Sequence, residues 1–408
     1  MKNIMTNSEC ILNPALFVKG IPHEIFEHYR KNAPLFRDKD TMNADRIVWN
    51  LVRYNDVLAG LKNVQVFSIQ NHNELHEQTN SFGDSHHWHP KAMSLLESPE
   101  HTIHKKRFSS IAKKVNTDAY RVVVSELANE LVSNLSNRGE FDAVDDFSAI
   151  LTSQIVCSYF KIPKENHEFF RRLSSVFMGD TLLNAEVGSF SVYTNKCPFN
   201  ISQASPARNA MDMIKNYWGD APWLDESFVK TADRWEVEDL GLQMFSAGMA
   251  GLRNCITMGV YYLSLNWKEL KDNSNLWLSN IDLIAEEIIR LTTPLMRIRR
   301  VLSSDIEMYG QEMKKDDHVF LWLASANTDP TVFQNPLEFV PFRSPNPHLS
   351  FSSGIHSCLG FSLARMEVEE VLKSIIINLK KLEIVDSPVR FKSSVVNEIS
   401  SMKIKIAI

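Results

Sequence analysis

The run Phe351-Ser352-Ser353-Gly354-Ile355-His356-Ser357-Cys358-Leu359-Gly360 sets one cysteine in a glycine-bounded loop, directly ahead of an amphipathic segment. A thiol at the start of a helix lies near unpaired backbone N–H groups and the positive end of the helix dipole. Both favour the thiolate, the form that ligates metals and attacks electrophiles. Gly354 and Gly360 allow a sharp turn and a close approach to something flat or bulky. Phe351 adds an apolar wall. Together these residues suit a thiolate aimed at a large planar cofactor. Other chemistry stays open. A lone buried cysteine is usually a small hydrophobe. A zinc site needs more close Cys or His than His356 and Cys358 supply, and spacing alone does not constrain a cysteine nucleophile with a distant histidine.

The ten residues resemble the cysteine-ligand signature of the cytochrome P450 family, Phe-Gly-x-Gly-x-His/Arg-x-Cys-x-Gly, with Ser352 in place of the first glycine. The resemblance extends over essentially the whole chain and is most specific from Glu286 to Glu370. It implies haem b with Cys358 as the axial iron ligand, flanked by Phe351 and Gly360. Thiolate ligation pushes electron density onto iron and favours O–O cleavage. The family's Glu-x-x-Arg pair corresponds to Glu287 and Arg290, and its later arginine to Arg343. A guanidinium fork can hold a carboxylate bidentately, and the triad's implied role is to pin the cysteine loop. Propionate partners carried over by position are His101, Lys105 (where the family has arginine), Arg300, His348 and His356, with Arg297 and Arg299 as competitors of Arg300.

The expected distal helix departs from the family. Ala247-Gly248 matches the family's Ala-Gly, and Asn254 fixes the register. The acid and threonine that normally follow are here Ala250 and Gly251, neither of which can donate or relay a proton. A substrate hydroxyl or ordered water could take over, which suits phenols and hydroxylated secondary metabolites and would accompany oxidative biaryl coupling. Peroxide-driven oxidation is a second consequence. A relay through Arg253, Ser246 or Thr257 is a third. The conventional reading is a monooxygenase that tolerates the loss, and a non-catalytic haem-thiolate sensor is the reading from another class.

The 408 residues are 44% apolar and 23% charged, the balance of a globular protein able to bury a large core. A net charge of -5 without a dominant basic face gives no nucleic-acid signal. Cys10, Cys157, Cys197, Cys255 and Cys358 are odd in number and widely separated, which fits a reducing cytosol better than a disulfide framework. The first residues lack an apolar core for a signal or anchor. Gln243, Arg253 and Asn254 argue that Leu240 to Leu263 is a buried helix and not a membrane span. A cytoplasmic enzyme without membrane or nucleic-acid partners is therefore expected. It would take a small-molecule substrate and receive electrons from a ferredoxin or flavodoxin with its reductase. The basic run Lys105, Lys106, Arg107, Lys113 and Lys114 is either a solvated face or the surface that steers that acidic partner.

To position these groups the chain must be mostly α with a small β portion, one domain over 1–408, β-rich near 45–70, 295–325 and 385–408. Ile47 to Tyr54 reads as strand, as does Val319 to Leu323. Helical spacing marks Thr117 to Asn137 and Leu151 to Tyr159, then Val237 to Lys268 as one long helix, Asp282 to Thr292, and Leu359 to Leu379. Phe391 to Ile408 reads as terminal β-structure. Asn71 to Pro90, dense in histidine, reads as a solvated loop or lid. The irregular Ser189 to Pro222 falls where family members build substrate-access helices.

Overall fold

The computed structural model describes residues 10–39, 46–69, 93–115, 117–168, 170–171 and 234–406, with the side chains of 95, 111, 112, 114, 115 and 234–246 excepted. The histidine-dense stretch Asn71 to Pro90, the segment Ser189 to Pro222 and Cys197 lie outside the described residues.

The helices are α1 (His23–Asn32), α2 (Tyr54–Lys62), α3 (Glu100–Val115), α4 (Asp118–Ser136), α5 (Ala149–Tyr159), α6 (Arg234–Leu265), α7 (Trp267–Asp272), α8 (Ser274–Ser279), α9 (Ile281–Thr292), α10 (Leu323–Ala326) and α11 (Phe361–Asn378). The strands are β1 (Leu35–Lys39), β2 (Ile47–Leu51), β3 (Phe67–Ser68), β4 (Glu140–Asp142), β5 (Ile298–Leu302), β6 (Ile306–Met308), β7 (Gln311–Met313), β8 (His318–Leu321), β9 (Leu382–Ile384), β10 (Val389–Arg390), β11 (Ile399–Ser401) and β12 (Lys403–Ile406).

The main sheet runs β1-β2-β8-β5-β3. Among the described residues only β2 and β8 pair in parallel, with Trp49 opposite Val319. A second sheet, β4-β12-β9, and the hairpins β6–β7 and β10–β11 complete the β portion. The helical core is built where α4, α5, α6, α9 and α11 meet, with Ile155, Ile256, Ile288, Val371 and Leu372 fully or almost fully buried. Each such side chain contributes roughly 1.5–3 kcal/mol by leaving water.

Most expected elements form, and the departures have local causes. The strand from Ile47 stops at Leu51 because the Asp329 carboxylate accepts Tyr54 N–H at 2.9 Å and starts α2 there. Thr117 caps α4 by accepting Tyr120 N–H at 3.3 Å. The long helix ends three residues early, where Asn266 turns its own amide onto Tyr262 O at 2.8 Å and α7 begins on a new axis. The expected strand Val319 to Leu323 is shorter, since α10 takes over at Leu323. β1, β4 and β9 fall outside the three expected β-rich stretches. Short strands at sheet edges carry little alternation to read. Among the described residues no helix is long and apolar enough to cross a membrane.

Candidate haem-thiolate site

The cysteine loop is closed on itself by Cys358 N–H donating to Phe351 O at 2.8 Å and Ser352 N–H to Leu349 O at 2.8 Å. Gly354 turns at φ +73, and a Cβ there would stand 3.0 Å from Leu61 O, so the loop can rest on the end of α2 only with glycine at that point. Ser352 also adopts a positive φ, 61, without being glycine. Its hydroxyl oxygen is buried without a hydrogen-bond partner among the described residues.

Glu287, Arg290 and Arg343 form one buried network. Both Glu287 oxygens are occupied: Arg290 donates at 2.7 and 2.8 Å, Arg343 Nε at 3.0 Å to each, Val340 N–H at 3.1 Å and Asn346 Nδ2 at 3.1 Å. Arg290 also donates to Asn327 O and Pro336 O, and Arg343 to Gln334 O and Asn335 O. The pair on α9 thereby gathers the long loop ahead of the cysteine. Asn327, which sequence reasoning passed over, finishes the link by accepting Leu349 N–H at 2.6 Å and donating to Ser350 Oγ at 2.9 Å.

Cys358 is exposed, yet burial by surrounding protein is the largest influence on its thiol. The two facts agree if the sulfur lies on the floor of a hollow and not on the outer surface. That burial raises the thiol pKa, while the Gly360 amide and the charges of Lys105 and Arg365 lower it. The helix-start effect expected from the sequence is therefore present but outweighed. A bound metal cation is what would hold this sulfur as thiolate.

Around it lies a cluster of donors. His101 from α3 and His356 from the loop sit 4.1 Å apart between ring centroids. His101 Nδ1, His356 Nε2 and Arg300 Nε are buried without a hydrogen-bond partner among the described residues. Burial pushes His101 down to about 4, helped by the charges of Lys105 and His104. Burial also pushes His356 down to about 3, with His101, Arg300 and Lys105 adding to it. Arg300 falls to about 10 through burial, opposed by Glu97. Unsatisfied donors that repel one another fit a ligand bearing two carboxylates, as haem does, because an anion reverses each of these shifts.

The competitors are engaged elsewhere: Arg297 donates to Ser394 O at 3.2 Å and Arg299 to His318 Nδ1 at 2.8 Å. Two other expected partners are engaged by protein groups. Lys105 Nζ donates to Ile355 O at 2.5 Å, Ser357 O at 2.7 Å and Ser357 Oγ at 3.1 Å, so its charge braces the cysteine loop. His348 Nε2 lies 3.0 Å from Glu286 Oε1, and its Nδ1 accepts Ser350 N–H at 3.2 Å. Glu286 also pairs with Arg365, whose guanidinium lies 5.0 Å over the Phe351 ring. Neither Glu286 nor Arg365 was singled out from the sequence. An acid directly before the Glu-x-x-Arg pair and a base seven residues after the cysteine were the available signals.

On α6, Ala247 is exposed, Gly248 and Gly251 are partly open and Ala250 is buried. A Cβ on Gly248 would meet Val156 at 3.1 Å, whereas one on Gly251 would meet no atom of the described residues within 4 Å. The helix is therefore tight against α5 at one point and, among the described residues, without a close neighbour one turn later.

A helical fold with a small sheet here carries a loop cysteine near a cluster of buried groups that would accept an anionic ligand. The chain is recognised by its similarity to the cytochromes P450: the sequence profile described as Cytochrome P450 matches residues 278–406. A methyl-branched lipid omega-hydroxylase of Mycobacterium tuberculosis is 28% identical over 377 residues, covering 87% of this chain and 83% of that protein. The biotin biosynthesis cytochrome P450 of Bacillus subtilis is 24% identical, covering 92% and 93%. Among solved structures, P450BioI in complex with a hexadec-9Z-enoic acid ligated acyl carrier protein superposes with a TM-score of 0.78 at 21% identity, covering 97% of this chain and 100% of that one. The protein is an oxidoreductase of the monooxygenase type with a haem-thiolate cofactor. That cofactor, when bound, supplies the dioxygen chemistry.

Proposed function

We propose that this cytochrome P450 uses haem b held by Cys358, with His101, His356 and Arg300 toward its propionates, to oxidise an apolar secondary metabolite that carries its own hydroxyl near the reacting carbon. The observation that carries the reading is the lack of any close neighbour to Gly251 among the described residues, beside exposed Ala247. Ala250 and Gly251 can neither hold nor move a proton. Arg253 is ion-paired with Glu398, and Thr257 donates to Arg253 O at 2.9 Å and pairs with Ser148. Ser246, the other relay candidate, has a side chain outside the described residues, and a substrate hydroxyl or a water near Gly251 is the proton source this reading assigns. A polyketide-like or lipid-like substrate is in keeping with the names of relatives such as the polyketide biosynthesis cytochrome P450 PksS of Bacillus subtilis. An aromatic substrate and biaryl coupling have no separate support.

The test pairs a hydroxylated ligand with its deoxy analogue in wild type and in Ala250→Asp/Gly251→Thr. In wild type, peroxide release per NAD(P)H should fall only with the hydroxylated ligand; in the double variant it should fall with both. Equal release throughout would refute the reading, and turnover with peroxide alone would favour the peroxide-driven alternative. Electrons come, in this reading, from a ferredoxin or flavodoxin in the cytoplasm that docks over exposed Lys106 and Lys113. A reduction rate independent of salt would rule that docking out.

A further inference from the structure

His101 and Lys105 stand four residues apart on α3 and so share one face of that helix. They meet different parts of the cysteine loop. The His101 ring lies beside the His356 ring, 4.1 Å between centroids. The Lys105 ammonium donates to Ile355 O at 2.5 Å, Ser357 O at 2.7 Å and Ser357 Oγ at 3.1 Å. An ammonium has three donors and no more. All three are taken by the loop, which leaves none for a carboxylate of the cofactor.

Two of those three acceptors belong to Ser357, the residue directly before Cys358. The charge is thus fixed against the backbone that carries the sulfur. Among the described residues no carboxylate is paired with it. Burial pushes the Lys105 pKa down, and the charge that raises it again is Cys358. Reciprocally, Lys105 lowers the Cys358 thiol, ahead of Arg365. Arg365 is not an equivalent cation, because the Glu286 carboxylate accepts its Nε–H at 2.6 Å and offsets its field. Lysine also differs in kind from arginine here: its ammonium is a compact point charge, not a delocalised fork.

We infer that Lys105 is a positioning residue that acts through Cys358: its charge, fixed on the loop by three hydrogen bonds, draws electron density from the iron-bound sulfur and makes the iron easier to reduce. Reduction adds one electron, supplied by the redox partner of the proposed function, and neither makes nor breaks a bond. A nearby cation stabilises the added negative charge. The inference rests on the haem-thiolate reading, and the experiment separates the two.

The test is a spectroelectrochemical titration of holoenzyme, with the iron–sulfur stretching band read by resonance Raman on the same samples. Lys105→Gln keeps an N–H donor and removes the charge. Its equilibrium should move about tenfold towards the oxidised iron, about 59 mV for one electron, and its iron–sulfur band should rise. Lys105→Arg, which restores the charge, should return towards the wild-type potential. Ser357→Ala, which removes one bond and leaves the charge, should stay within about twofold of wild type. Each protein is first checked by its reduced carbon monoxide difference spectrum. A wild type without a thiolate spectrum sinks the haem-thiolate reading and this inference with it. With that spectrum present, a Gln variant at the wild-type potential overturns the inference alone. A lowered potential with an unmoved iron–sulfur band would place the charge on a propionate and overturn it as well. So would an equal fall in Lys105→Arg or Ser357→Ala, which would put the effect on loop geometry, or loss of haem from Lys105→Gln, which would make Lys105 a retention residue.

Discussion

Replacing Glu287 by alanine removes the one carboxylate that two buried arginines share. Arg290 and Glu287 are both wholly buried, and Arg343 is 8% exposed. The substitution leaves two guanidinium groups without their anion, and Val340 N–H and Asn346 Nδ2 without an acceptor. Breaking one buried pair in this way costs roughly 3–5 kcal/mol. The remaining bonds to Asn327 O, Pro336 O, Gln334 O and Asn335 O keep the arginines partly solvated by backbone, which argues for that range and against twice its size. With an unfolding entropy of about 2.1 cal/mol/K per residue, 408 residues give about 0.9 kcal/mol/K, hence a Tm loss of roughly 4–6 °C if unfolding is cooperative. The functional loss should be larger than the thermal one, because the released segment is the one leading into Cys358. Glu287→Ala should purify with little haem and without a thiolate carbon monoxide spectrum, while Glu287→Gln, which keeps volume and one acceptor oxygen, should retain more of both. Full haem occupancy and an unchanged Tm in the alanine variant would refute the assignment of this triad as the anchor of the loop.

Ser352→Gly should stabilise the protein by about 1 kcal/mol, read as a higher Tm. It relieves a non-glycine residue at φ 61 and a buried hydroxyl without a partner, against glycine's own entropy cost of about 0.5–1 kcal/mol. Lys105→Met should speed haem dissociation about tenfold with the α3 helix intact by circular dichroism, since three charge-assisted bonds to the loop are lost. Burial raises the Glu286 carboxyl, but His348 and Arg365 outweigh it and hold the pKa near about 2. The unfolded chain therefore takes up this proton first as pH falls, so the stabilisation is complete above about pH 5 and lost towards pH 2. Glu286→Gln should flatten denaturation midpoints across that window by about 1–2 kcal/mol, allowing for solvent screening; an unchanged slope would remove Glu286 from the acid response.

The cysteine loop, the Glu-x-x-Arg pair with Arg343, and the bare Ala250–Gly251 stretch were legible along the chain because each is a local pattern of side-chain type and spacing. So were the long apolar helices, whose 3.6-residue period follows from burial on one face. Other features depend on contacts between residues far apart in sequence. That Arg300 keeps Nε without a partner among the described residues, while Arg297 donates to Ser394 O and Arg299 to His318, is visible only in the folded chain. Lys105 and His348 were carried over by alignment, and only the fold shows that Lys105 donates to loop carbonyls and that His348 lies against Glu286. Arg253 gave no sign that it meets Glu398, 145 residues away. Chain order specifies which groups exist and which face of a helix they share. Where a charge finds its partner is set by packing, because a buried ion must be matched by whatever group the tertiary fold brings within reach.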